Sequence, residues 1–109
     1  MVEKIWSDKY PEGVTSDIQY GDYESVLDVF ENACKKFADR PAFHNMGVSI
    51  TYGELDKLSA DFAAYLQHHT TLVKGDRIAV QMPNLIQYPI VIFGALRAGM
   101  VVVNTNPMY

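Results

Sequence analysis

The sequence predicts an α/β fold: a parallel βαβ unit preceded by a small antiparallel hairpin, with the sheet left incomplete. Three observations carry this. Two short apolar runs, residues 78–82 and 100–104, flank an apolar helical stretch with only brief links between them. Strands joined that way lie parallel in one sheet, with a right-handed crossover. The second run, MVVV, is apolar without alternation, the pattern of a strand buried on both faces. Earlier, residues 42–45 and 48–52 flank Met46-Gly47, where glycine can take the positive φ of a tight hairpin turn.

Residues 1–22 show no hydrophobic period and contain Pro11, Gly13 and Gly21 with scattered Trp6, Tyr10 and Tyr20. They read as an extended arm whose aromatics need a surface to lie on, leaving residues 23–109 as a partial α/β domain. From Ser25 the pattern changes. Ser25-x-x-Asp28 is a weak capping box, and Val26, Phe30, Ala33, Cys34 and Phe37 recur at three- and four-residue spacing. A first helix is therefore expected over 25–38, ending before Pro41.

After the hairpin, Thr51-x-x-Glu54 forms a full capping box, its hydroxyl and carboxylate each able to satisfy an orphan amide. Leu55, Leu58, Phe62, Tyr65 and Leu66 then mark the apolar face of a second helix, with Ser59, Asp61, Gln67 and His68 away from it. Lys74-Gly75-Asp76 punctuates the chain before the strand at 78–82, which Pro83-Asn84 closes. Asn84 is placed to cap a third helix over 85–98. That helix is apolar nearly all round, so it belongs between layers, with Pro89 near its start or kinking its first turns. Arg97 falls in its last turn, and Gly99 is placed as its C-terminal cap.

Composition bounds the function. The 109 residues are 49% hydrophobic and 20% charged, as in an ordinary globular protein, and suffice for one modest core. Nine basic against thirteen acidic residues give a net charge of -4, and no basic cluster is interleaved with aromatics, which argues against a nucleic-acid partner. Cys34 is the only cysteine, so no internal disulfide forms. The first residues carry Glu3 and Asp8 and no apolar core behind a basic flank, so they do not read as a signal peptide. The longest apolar stretch, residues 88–100, contains Arg97, Pro89 and two glycines and falls short of the roughly 20 residues of a membrane span.

A search for reactive chemistry assigns no catalytic, cofactor-binding or metal-binding residue. The seven glycines form neither G-x-G-x-x-G nor a P-loop. His68 and His69 diverge as neighbours on a helix and lack further ligands, His44 has no acidic orienter nearby, and Cys34 sits on an apolar helix face. Glu24, Asp28 and Glu31, and Asp56 and Asp61 with Lys57, read as solvated faces. Two loops at strand carboxyl ends, Asn104-Thr-Asn-Pro107 and Met82-Pro83-Asn84, lie where open α/β sheets place ligand-facing segments, but both are explained as simple exits or caps.

Four stretches nevertheless carry a family resemblance: KIWSDKYPEGV (4–14), DRPAFHNMG (39–47), ITYGELDKLSADFAAYLQ (50–67) and KGDRIAVQMPNLIQYPIVIFGALRAGMVVVNTNPMY (74–109). Together they resemble the amino-terminal part of bacterial long-chain fatty-acid CoA ligases. T-Y-x-E-L, K-G-D-R-[IV] and an apolar helix ending in A-G before a strand resemble adenylate-forming enzymes at large. The MPN-x-x-QYP stretch and the NxNPxY ending narrow the likeness to the fatty-acid ligases.

The resemblance implies the first part of a large amino-terminal domain. It also implies a two-step reaction using ATP, Mg and CoA, in which a fatty acid becomes an acyl-adenylate and then a thioester. The family's phosphate loop, adenine-contacting motifs and catalytic lysine come later than Tyr109, so no functional residue transfers to this chain. It is expected to be structural and inactive by itself, with the parent cytoplasmic and in peripheral contact with membranes. Some members dimerise through their amino-terminal arms. Two alternatives stand beside this one: another adenylate-forming ligase for an aryl or short acyl acid, and a free-standing α/β interaction module. An uncovered apolar strand further predicts self-association through residues 85–104, with the aromatic arm at 5–20 as a second contributor and Val102 as the position to test.

Overall fold

The computed structural model describes residues 2–109, so Met1 of the expected arm lies outside the described residues. The arm has one short helical turn, Ser7–Lys9, and is otherwise irregular and exposed up to the first helix. Lys4 is tied to Asp17 by a salt bridge, and this hydrogen bond and charge hold the Asp17 carboxyl below its usual pKa. The molecule has extents of 52 × 33 × 32 Å and a radius of gyration of 17.6 Å. A compact chain of this length would have a radius of gyration of roughly 13 Å.

Helix α1, Val26–Lys36, begins where Ser25 Oγ accepts the amide of Asp28 at 3.0 Å. The return half of the expected box is absent, because the Asp28 carboxylate accepts instead from the Glu24 amide at 3.3 Å. Phe30 and Cys34 are buried as expected, but Val26 is exposed and Leu27 takes its place against the core. Leu27, Phe30 and Cys34 follow one another at three- and four-residue spacing, with Leu27 and Cys34 on the same side of Phe30 around the helix and Val26 on the other.

The hairpin forms from β1, Pro41–Asn45, and β2, Val48–Thr51, antiparallel with Asn45 opposite Val48. Met46 and Gly47 both take positive φ, +49° and +81°, as a two-residue turn of matching twist requires. Helix α2, Tyr52–His69, opens on the complete capping box: the Glu54 amide donates to Thr51 Oγ1 at 3.1 Å and the Thr51 amide to Glu54 Oε2 at 2.8 Å.

The buried stripe of α2 differs from the expected one. Leu55, Ser59, Ala63 and Leu66 are buried, Leu58 and Tyr65 are exposed, and Phe62 is partly buried. Ser59, expected to face away, is 0% exposed. The cause is helix α3, Gln87–Arg97, which presses so close that a Cβ on its Gly94 would stand 2.8 Å from the Ser59 carbonyl oxygen and 2.7 Å from the Phe62 ring. Close backbone approach selects small residues, and apolarity alone cannot reveal that. The Ser59 hydroxyl donates to the Asp56 carbonyl at 3.0 Å, which removes most of the cost of its burial.

Asn84 does not cap α3. Ile86 occupies that position without a side-chain cap, and Pro89 sits buried in the first turn, where its missing N–H costs nothing. The flanking strands, β3 (Arg77–Val80) and β4 (Val101–Asn104), are adjacent and parallel, with Arg77 opposite Val101 and Val80 opposite Asn104. Gly99, at φ +81°, makes the turn from helix to strand.

Helix α3 lies between layers as expected, against α2, α1 and one face of the β3–β4 pair. One cluster joins Ala63, Leu66, Ala95, Ala98 and Met100 with Ile78 and Val102, and the other joins Phe30, Cys34, Ile50 and Leu55 with Ile90 and Phe93. Burying a side chain such as Leu55 stabilises by about 1.5–3 kcal/mol relative to leaving it in water. The sheet is covered on that face only. Val101 and Val103 point the other way and remain 46% and 42% exposed, so β4 is not enclosed on both sides as its composition suggests.

Candidate functional site

The carboxyl ends of β3 and β4 gather the polar residues singled out in the sequence. Asn104 ends β4, and its Oδ1 accepts from the Tyr88 hydroxyl of α3 at 2.7 Å. The Gln81 side-chain amide donates to the Asn106 carbonyl at 3.3 Å, and the Thr105 amide donates to the Val80 carbonyl at 3.0 Å. Asn106 Oδ1 accepts from the Met108 amide at 2.9 Å, closing a local turn. The loop after β4 is thus held by its own neighbours. Asn84 lies in an open hollow of about 290 Å³ with Phe43, His44, Asn45 and Tyr88, while Met82 is partly buried at the end of β3.

None of the single candidates gathers a reactive set. His44 Nδ1 is 2.8 Å from Ser49 Oγ across the hairpin, and His68 and His69 are exposed at the end of α2, with His69 stacked on Tyr65. Cys34 is 3% exposed, and burial, reinforced by the charge of Asp56, pushes its thiol pKa up, away from the thiolate a nucleophile needs. Among the described residues no three His, Cys, Asp or Glu side chains are grouped to hold a metal ion.

A second cluster has no signature in the sequence. Arg97, in the last turn of α3, donates to the Asp56 carbonyl at 3.1 Å and is ion-paired with the Asp56 carboxylate. Its guanidinium stands 5.2 Å from the Phe30 ring, which stacks on Phe93 at 3.9 Å. Its Nε is buried without a hydrogen-bond partner among the described residues. The open groove beside it, lined by Glu31, Lys35, Asp56 and Gln67, mixes charges of both signs and favours no single ligand class. Forty-one residues separate Arg97 from Asp56, so no local pattern could have paired them.

Residues 30–109, which hold most of α1, all of α2 and α3 and both strand pairs, match the AMP-binding enzyme family. The chain belongs to that family. Among AMP-binding enzymes it is 53% identical over 108 residues to a long-chain-fatty-acid–CoA ligase of Yersinia pestis and 50% identical over 108 residues to that of Salmonella typhimurium. It is 32% identical over 107 residues to that of Bacillus subtilis. These alignments cover 98–99% of the chain but 19% of each relative, so the chain spans about a fifth of their length.

Solved structures agree with the fold. The N-terminal subdomain of Klebsiella oxytoca NpsA superposes with a TM-score of 0.70 at 32% identity, over 74% of this chain and 21% of that one. VinN in complex with L-aspartate gives 0.75 at 34% identity, over 85% and 25%. The residues here do not fit a nucleotide, CoA or metal by themselves, having no glycine-rich cradle and no grouped ligands among the described residues. What they form is the packed first part of an adenylation subdomain.

Proposed function

We propose that this chain is the amino-terminal part of an ATP-dependent long-chain fatty-acid CoA ligase, which joins a fatty acid to CoA through an acyl-adenylate with release of AMP and pyrophosphate. The observation that carries this is identity of 50–53% along 99% of the chain to enzymes of that name, against 31–34% to the adenylation structures. ATP, Mg, CoA and the fatty acid are then the parent's substrates and ions. The residues that bind them lie outside 1–109, and the chain's own part is to hold α2, α3 and the parallel strand pair in place. Residues 1–22 act as an arm and 23–109 as part of the large domain.

The parent works in the cytoplasm, with peripheral contact to membranes that carry its water-insoluble acid. No helix among the described residues is long and apolar enough to cross a membrane, which is consistent with surface contact. The isolated chain self-associates through 85–104. The exposed Val101 and Val103, with no layer over them, support this. Val102 is the wrong position to test, because its side chain packs beneath α3 with Ile78 and Met100.

Pyrophosphate exchange into ATP, driven by a long-chain fatty acid, tests the division of labour. The 109-residue chain is expected to give none above a heat-treated control. Exchange by the chain alone would place the adenylating residues within it and overturn the reading.

A further inference from the structure

Helix α3 has no polar face to orient it. From Gln87 to Leu96 it carries no charged residue and is apolar nearly all round, so apolar burial alone would accept several rotations of it against α2. Two contacts single one out. Gly94 lies so near α2 that a Cβ on it would stand 2.8 Å from the Ser59 carbonyl oxygen. One turn further along α3, Arg97 reaches Asp56, which lies one turn before Ser59 on α2. Its Nη1 donates to the Asp56 carbonyl at 3.1 Å, and its Nη2 is ion-paired with the carboxylate. The same carbonyl accepts the Ser59 hydroxyl at 3.0 Å, so the glycine contact and the charged contact are joined.

The pair is poorly built as a source of stability. The Arg97 side chain is 16% exposed, and its Nε has no partner among the described residues. Desolvating a guanidinium and leaving one donor unpaired offsets much of the attraction, and apolar replacement of such a pair is often neutral or better. Turning α3, or sliding it by one turn of about 5.4 Å, would instead leave the guanidinium buried without its anion. We propose that Arg97 is a positioning residue: its pairing with Asp56 selects the rotation and axial position of α3, and through α3 it places the loop after β4. The link is Tyr88, whose hydroxyl donates to Asn104 Oδ1 at 2.7 Å. Tyr88 lies nine residues before Arg97, about two and a half turns, and so on the opposite side of the helix. One side of α3 is keyed to α2 and the other holds the loop.

R97M in the 109-residue chain tests this. Circular dichroism and the urea midpoint are expected to match those of the unaltered chain. In nuclear magnetic resonance spectra the Asn104 side-chain amide is expected to broaden or to split into more than one set of peaks. The Overhauser effect between the Gly94 α-protons and the Phe62 ring, which a Cβ on Gly94 would approach to 2.7 Å, is expected to fall at least twofold. K57M removes an exposed pair of the same charges, Lys57 with Asp61 at 2.6 Å, and is expected to leave both signals unchanged. A single sharp Asn104 signal in R97M with an undiminished Gly94–Phe62 contact would overturn the proposal. Unfolding of R97M would overturn it too, by making the pair a source of stability and not of position. The same splitting in K57M would do so by showing that loss of any ion pair loosens the helix.

Discussion

Gly94 and Ser59 decide how near α2 and α3 can come. A Cβ placed on Gly94 would meet the Ser59 carbonyl oxygen at 2.8 Å and the Phe62 ring at 2.7 Å, so even a methyl group has no room there. G94A is expected to destabilise the chain by about 1–3 kcal/mol, the cost of overpacking a close helix contact, although alanine is the better helix former. Urea unfolding measures it, and an unchanged midpoint would show that the helices part without cost. The sequence carries no sign of this close approach. A serine within an apolar stripe reads as solvent-facing until the glycine opposite it is known, and the Arg97–Asp56 pair likewise depends on which helix ends meet.

At the scale of elements, the ends that carry reciprocal chemistry are legible in the sequence and the others are not. The Thr51–Glu54 box is stated outright by its residues, and both of its bonds form. T51A should therefore cost about 1 kcal/mol. Asn84 offers only a residue type, and helix α3 starts three residues later, over Ile86, without using it. N84A should accordingly change stability by less than about 0.5 kcal/mol. Thermal denaturation of the two variants separates them, and equal losses would contradict this assignment of caps. The hairpin and the βαβ unit are legible for the same reason as the box. A two-residue turn with glycine, and two strands linked by one helix, each leave few geometries to choose from.

For the whole molecule, the apolar run at β4 predicts cover on two faces, and the chain supplies one. Val102 and Met100 pack under α3, while Val101 and Val103 stay exposed. Composition records the environment the strand is suited to, and the packing records what 109 residues provide. The candidate site divides along the same line. The polar loop at the strand carboxyl ends can be located from the βαβ pattern. Its engagement by Tyr88 cannot, because a tyrosine near the start of an apolar helix carries no sign of the asparagine sixteen residues on.

Which acid the proposed ligase activates is the central question for function. The most direct measurement is acyl-CoA formation by the protein encoded by the reading frame containing this chain, with ATP, Mg and CoA, across a series of acids from short-chain and aryl to long-chain. The highest kcat/KM is expected for long-chain fatty acids, with AMP and pyrophosphate released in step with thioester. A preference for aryl or short-chain acids, or no ATP-dependent thioester with any acid, would contradict the assignment.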